Sequence, residues 1–252
     1  MKTLPWKTAW VVGASSGIGR ATARRLAASG VRVAASSRSR PELSALADEG
    51  RGGIAAYPLD VTDRDGLLQA VPAIDDELGP IDLVVLSAGI WEPFEPDSFD
   101  PAAFSANMEV NYLGAVNAIA AVLPAFRARG SGQIAIVASV AGYVGLPKAA
   151  TYGPTKAALI NLAECLRCEL DGSGVTVCVV NPGFVETRLT AKNDFPMPFL
   201  MSAEEAADRM IRGLATGRFE VAFPRRLTWL MKLARLLPYP VYFPGIRTFV
   251  AR

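Results

Sequence analysis

The feature that most constrains this chain is a junction near its start. Thr8-Ala9-Trp10-Val11-Val12 reads as a buried strand, and it runs directly into Gly13-Ala14-Ser15-Ser16-Gly17-Ile18-Gly19. A helix-forming stretch follows from Arg20 to Ser29. Strand, glycine-rich turn and helix in that order make a phosphate cradle. The glycines let the backbone turn tightly and approach a pyrophosphate, and the helix start supplies free N–H groups and a positive dipole end. The spacing is Gly-x-x-x-Gly-x-Gly rather than the commoner Gly-x-Gly-x-x-Gly. A tight turn with no ligand is the plain alternative; three glycines and two serines at this place weigh against it.

The same alternation continues down the chain. Strands are expected at 31–36, 54–58, 81–86, 133–139, 175–180 and 219–223. Helices are expected at 41–49, from the Asp63 cap to Glu77, over 101–128 with an interruption near Asn107, after Tyr152, and from a Ser202 cap with Glu205 completing a capping box. No repeat or low-complexity linker divides the 252 residues, and 51% hydrophobic content with a mean hydropathy of +0.26 allows a large core. The pattern predicts an α/β fold: a single doubly wound Rossmann-type domain, with a seven-stranded, mostly parallel sheet and helices on both faces. The expected division is a dinucleotide-binding and catalytic unit at 1–223 and a tail at 224–252.

Composition narrows the chemistry. The chain has no histidine, which removes histidine triads, histidine general bases and most zinc hydrolase sites. A formal net charge of +2 does not mark a nucleic-acid binder. Met1-Lys2-Thr3-Leu4-Pro5-Trp6-Lys7 is too short and polar for a signal peptide, and no uninterrupted apolar run reaches membrane-spanning length. Three cysteines suit a reducing cytoplasm; Cys165 and Cys168 form a Cys-x-x-Cys that lacks the partners a metal or redox site needs. No metal ligand set is expected.

Proton chemistry therefore falls to Tyr, Lys, Asp, Glu, Ser or Cys. Tyr152 and Lys156 stand four apart at a helix start, so both side chains leave one face. Pro154 is compatible with a first turn. A free phenol titrates near pH ~10, and a neighbouring ammonium is expected to lower that. Ser139 closes a strand at the end where open α/β sheets bind ligands. Asn111 lies among apolar neighbours, and a buried amide needs partners. Small residues at Ser87-Ala88-Gly89 would let a flat ring lie against the backbone. After the second strand, where an acid would select NAD, the chain has Ser37 and Arg38. A guanidinium suits a 2′-phosphate, so NADP(H) is preferred, with NAD(H) as the alternative.

Taken together, these residues resemble the short-chain dehydrogenase/reductase family from about Thr8 to Phe223. The glycine loop Gly13 to Gly19, Asp60-Val61, Ser87-Ala88-Gly89, Asn111, Ser139, Tyr152, Lys156 and Pro182-Gly183 occur in family order and at family-like spacing. Val12 stands where the family usually has Thr, and Leu86-Ser87 where it has two Asn; both changes touch supporting hydrogen bonds rather than reacting groups. The resemblance implies hydride transfer between nicotinamide and a carbonyl or carbinol carbon. Tyr152 would exchange the proton, Ser139 would polarise the oxygen, and Lys156 would tune the phenol and hold ribose. Asn111 would anchor a proton-carrying water. It also implies cofactor contacts at Gly13, Ser15, Ser16, Gly17, Ile18, Gly19, Asp60, Val61, Ser87, Ala88, Gly89, Pro182, Gly183, Val185 and Thr187.

Trp91, Phe94, Val140, Tyr143, Val144, Leu146 and Phe184, with segment 195–201 in the substrate lid that the resemblance implies near 187–201, predict an apolar wall suited to a lipid-, steroid- or aromatic-like ketone or alcohol. A 3-oxoacyl-carrier-protein reductase is a second reading, with Arg127 and Arg129 meeting an acidic carrier; a nucleotide-binding protein without turnover is a third. The helix after Lys156 is apolar almost all round, which predicts a homodimer or homotetramer. From Val221 onward the chain has six basic residues (Arg225, Arg226, Lys232, Arg235, Arg247, Arg252) and no acid. A helix over 225–237 would carry Arg225, Lys232 and Arg235 on one stripe with Leu227, Leu230, Met231, Ala234 and Leu237 opposite, and Pro238, Pro240 and Pro244 would stop it continuing. With Trp229, Tyr239, Tyr242, Phe243 and Phe249, this tail fits an anionic membrane surface and equally fits packing over the pocket or a partner subunit.

Overall fold

The computed structural model describes residues 3–250, with side chains to Arg247; Met1, Lys2, Arg252 and the Phe249 side chain lie outside the described residues. Seven strands form one sheet: β1 (Thr8–Val12), β2 (Arg32–Ser36), β3 (Ile54–Ala56), β4 (Leu83–Leu86), β5 (Gly132–Val137), β6 (Val175–Pro182) and β7 (Glu220–Phe223). Their order is β3-β2-β1-β4-β5-β6-β7, and every pairing is parallel. From β1 the chain winds outward to β3 and then returns to lay β4 on the other side of β1. That reversal is a topological switch point, the place where open α/β sheets hold ligands.

Strand alternation divides the core into two layers. Trp10 and Val12 face one way, under α3 (Arg64–Leu78), α5 (Gly114–Arg129) and α6 (Gly153–Glu169), while Ala9 and Val11 face the other, under α1 (Gly17–Ala28), α2 (Arg40–Glu49) and α7 (Ala203–Leu214). Trp10 is fully buried, and its indole N–H is satisfied by Ser36 Oγ at 2.9 Å. Both caps form, Asp63 accepting from the Gly66 amide and Ser202 from the Glu205 amide, but the Glu205 carboxylate pairs with Arg209, so the expected capping box is only half made.

Two local expectations need correcting. The long helix breaks at Asn111, not near Asn107. Between α4 (Pro101–Met108) and α5, residues Glu109–Leu113 form one π-helical turn, in which the Gly114 N–H reaches back to the Glu109 carbonyl. That extra residue turns Asn111 inward. By length and composition the whole 29-residue stretch Pro101–Arg129 is apolar enough to cross a bilayer, yet Ala118, Ile119, Val122 and Phe126 on it pack into the core.

The tail differs more. It forms α8 (Arg225–Arg235) and then a second helix, α9 (Tyr239–Val250). Of the three prolines expected to stop a continuing helix, only Pro238 lies between α8 and α9; Pro244 sits inside α9, so it does not prevent the second helix. Pro238 precedes α9, and its carbonyl accepts from the Val241 and Tyr242 amides; Pro240 falls in the first turn, where its missing N–H costs nothing.

Candidate active site

The C-terminal edge of the sheet opens into a cleft of about 530 Å³. Its floor at the switch point is backbone against backbone. Gly13 has φ +93°, and a Cβ there would lie 2.7 Å from Ala88 Cα; a Cβ on Gly19 would fall onto the Gly13 carbonyl. Ser16 starts α1 without capping it through its side chain, so the first N–H groups of the helix are left for a ligand. Ser15, Ser16, Gly17 and Ile18 line the cleft, as do Asp60, Val61, Ser87, Ala88 and Gly89. Thr187 lies over the loop: a Cβ on Gly17 would come within 2.8 Å of its methyl. Pro182, Gly183 and Val185 complete that side. Gly19 alone of the expected loop residues does not reach the cleft surface; it serves the packing beneath it.

At the far end stand Ser37 and Arg38. Ser37 Oγ is buried and has no hydrogen-bond partner, while the Arg38 side chain is 66% exposed and 4.0 Å from the Asp60 carboxylate. An orphaned hydroxyl, a solvent-facing guanidinium and uncapped helix amides are donors that fit a dinucleotide. Glu42 and Arg188 pair at 2.5 Å across the mouth of the cleft.

Ser139, Tyr152 and Lys156 meet in the middle. Ser139 lies two residues past the end of β5, in extended backbone, and its Oγ accepts from the Ala141 amide at 3.1 Å. Lys156 is buried; its Nζ donates to the Val137 carbonyl at 3.0 Å and sits 5.3 Å from the centre of the Tyr152 ring. Burial pulls Lys156 down to about 8. The Tyr152 phenol is pushed up to about 12, burial outweighing the downward pull of the Ser139 hydroxyl. The sequence leads one to expect a phenol lowered by the ammonium; in the protein alone, desolvation raises it instead. Asn111 is buried: its Oδ1 accepts from the Ile90 amide at 2.7 Å, and its Nδ2 donates to the Ile90 carbonyl and to Thr155 Oγ1. Thr155 in turn donates to the Tyr152 carbonyl at 2.7 Å.

The apolar end collects Trp91, Val140, Leu146, Phe184, Phe195 and, from the tail, Leu227 and Met231. Three expected wall residues do not line it. Phe94 packs instead with Phe99 and Phe104, Val144 joins the core, and Tyr143 turns its hydroxyl onto Glu220 at 2.5 Å. Glu220 also accepts from Asn181 at 3.0 Å and from Lys232, so one carboxylate ties β7, β6, α8 and the turn after Ser139 together. Burial and that carboxylate drive the Tyr143 phenol far above its ordinary range, while its partners hold Glu220 below the carboxylate norm despite burial. This cluster was not anticipated; its members come from four separated segments and share no spacing. Lys148 pairs with Asp194 at 2.6 Å in the segment expected as a lid, and Met201 at the end of that segment is buried.

The helix after Lys156 is less uniformly apolar than expected. Leu159, Ile160 and Ala163 are buried, and Leu162 and Leu166 half-buried, but Ala157, Asn161, Glu164, Cys165 and Cys168 are exposed.

Comparison with known proteins agrees with this geometry. Residues 7–196 match the family model for short chain dehydrogenase. An uncharacterized oxidoreductase of Myxococcus xanthus is 41% identical over 98% of this chain and 99% of its own length. One from Staphylococcus haemolyticus is 32% identical over 85% of this chain and 93% of its own. A short-chain dehydrogenase from Streptomyces avermitilis superposes with a TM-score of 0.80 at 24% identity, covering 96% of each chain, which speaks to the fold. The chain belongs to the short-chain dehydrogenase/reductase family of NAD(P)-dependent oxidoreductases.

Proposed function

We propose that this enzyme uses NADP(H) and interconverts a hydrophobic ketone with its secondary alcohol. The observation that carries the reading is the convergence of Ser139, Tyr152 and Lys156 midway along one cleft. The Ser37–Arg38 corner stands at one end and an apolar pocket at the other. When bound, the dinucleotide supplies or accepts the hydride; the remaining work falls to the chain. With its phenol near 12, Tyr152 keeps its proton throughout neutral pH and can hand it to a carbonyl oxygen during reduction. Ser139 donates a hydrogen bond to the same oxygen, where negative charge develops. Lys156 holds ribose hydroxyls and, when charged, favours the phenolate needed for oxidation. The side-chain space of Gly89 faces both Asn111 Oδ1 (3.3 Å) and Lys156 Nζ (3.7 Å), and a proton-carrying water belongs between those two atoms.

In this reading residues 1–223 are the catalytic unit, 187–201 the lid and 224–252 a tail that completes the pocket wall. The enzyme self-associates through α6, and the tail offers contact with a membrane. The carrier-protein alternative loses its anchor. Arg129 donates to the Ile81 carbonyl beside the start of β4, and Arg127 is nearby at the end of α5, so both lie at the sheet edge opposite the cleft.

Tyr152→Phe tests the reading. NADPH affinity by fluorescence titration should be nearly unchanged, while turnover across a panel of apolar ketones falls about 10²–10⁴-fold. Near-normal turnover in the variant would assign the proton to another group. No turnover by the wild type across a broad panel, with NADPH bound, would favour a nucleotide-binding protein without chemistry.

A further inference from the structure

Helix α8 is apolar on two opposite faces. Inward, Leu227 (2% exposed) and Met231 (4%) line the pocket, with Thr228 buried beside them. Outward, Trp229 (61%), Leu233 (58%) and Leu236 (79%) stand in solvent, with Leu230 and Leu237 flanking them. The expected single stripe is therefore split: Leu230 and Leu237 do not join Leu227 and Met231. Helix α9 extends the outer surface with exposed Tyr239, Val241 and Phe243, the two rings stacked at 5.5 Å. Both helices are held in place from behind, α8 by Lys232 on Glu220 and α9 by the buried Tyr242, whose hydroxyl donates to the Gly145 carbonyl.

Eight large apolar side chains exposed on a pinned pair of helices and the turn that joins them exceed what a soluble surface carries without a partner. The charge around them selects the partner. Arg225, Arg226, Arg235 and Arg247 are all exposed, and no acid occurs from Val221 to Arg252. A second copy docking face to face would bring two sets of these arginines together with no acid on the segment to offset them. An anionic lipid surface takes both features: phosphates meet the guanidinium groups, leucines enter the acyl boundary, and Trp and Tyr sit at headgroup level.

We infer that α8 and α9 dock this enzyme on an anionic bilayer and that a bilayer-dissolved substrate reaches the cleft past Leu227 and Met231. The helix that touches lipid outside is the one that walls the pocket inside. The statement about substrate access rests on the oxidoreductase reading above; the docking itself does not.

Co-sedimentation of the full chain with phosphatidylcholine vesicles, with and without phosphatidylglycerol, tests it. Binding is expected to the anionic vesicles at low salt and to weaken about tenfold or more at high salt. Leu233→Ser with Leu236→Ser, and separately Arg225→Gln with Arg226→Gln, should each weaken it about tenfold or more while NADPH affinity is unchanged. No binding to anionic vesicles at low salt overturns the inference, as does binding that neither double variant alters. If Leu233→Ser with Leu236→Ser instead dissociates an oligomer in vesicle-free light scattering, the face is a contact between copies and the inference fails. None of these measurements uses turnover, so they separate a failed docking surface from a failed enzyme assignment.

Discussion

The two ends of the cleft are built from different materials. At the cofactor end the walls are backbone and small side chains: Gly13 against Ala88, Gly19 against the Gly13 carbonyl, and the open N-terminus of α1. At the substrate end the walls are bulky side chains from distant segments: Trp91, Leu146, Phe184, Phe195, Leu227 and Met231. A backbone wall fixes residue type, because only glycine fits a left-handed φ with no room for a Cβ. A side-chain wall needs only volume and apolarity, which many residues supply. The cofactor end should therefore tolerate almost no substitution, and the substrate end should drift in specificity without losing the fold.

Gly13→Ala strikes the comparison hardest. The new methyl meets Ala88 backbone, which cannot move without shifting β4, and the residue keeps an unfavourable φ of +93°. We expect a stability loss of about 3 kcal/mol or more, from overpacking and backbone strain together. NADPH binding should fall with it. Urea unfolding and fluorescence titration measure the two; a loss under about 1 kcal/mol would mean that the loop relaxes and the wall is not rigid.

The same difference decides what was legible in the sequence. Tyr152, Lys156 and the glycine loop are readable because their chemistry requires fixed types at fixed spacing, and the buried strands because seven apolar runs alternate with helices. Other features left no local sign. The π-helical turn at Asn111 comes from one inserted residue that composition does not mark. The Glu220 cluster gathers Tyr143, Asn181 and Lys232 only once the sheet is assembled. In α8 both faces are apolar, so helical periodicity alone cannot say which leucines turn inward. Pro240 reads as a breaker until it is known to fall in a first turn, where proline is tolerated.

Lys156 lies at the boundary between the two ends, and its burial carries a cost that pH can expose. Its folded value near 8 lies below the ordinary 10.5, so between those limits the unfolded chain binds a proton that the folded chain does not. Stability should therefore rise with pH through that window, and the penalty is fully present below pH 8. Tyr152, raised from 10.0 to about 12, acts oppositely above pH 10, where the unfolded chain releases a proton first. The Cys178 thiol, raised from 9.0 to about 12 chiefly by burial, acts in that same opposing direction from pH 9, so the clean window is pH 8 to 9, worth about 1 kcal/mol. Urea unfolding of wild type against Lys156→Met should show this rise only in the wild type. Parallel curves would mean that Lys156 keeps an ordinary value, and that the centre of the cleft is wetter than its packing indicates.

Arg38 is the exception that sharpens the comparison, since it is a side-chain determinant at the backbone-built end. It is largely exposed, and its nearest charged neighbour, the Asp60 carboxylate, is 4.0 Å away, so no tight ion pair holds it in place. A 2′-phosphate would give it a stronger partner than Asp60 does, and charge-assisted hydrogen bonds of this kind are worth about 1.5–3 kcal/mol. Arg38→Asp should therefore weaken NADPH binding by about 10–100-fold. The gain for NADH should be smaller, because the new carboxylate faces Asp60 and like charges so close resist joint ionisation. The ratio of kcat/KM for the two cofactors should still move towards NADH, mainly through the loss on the NADPH side. The fold should be unaffected, because the substituted side chain lies in solvent. A ratio that hardly moves would make Arg38 a surface charge. Of the Ser37–Arg38 pair only the orphaned Ser37 hydroxyl would then remain as a donor, and the preference for NADP(H) would lose its structural basis.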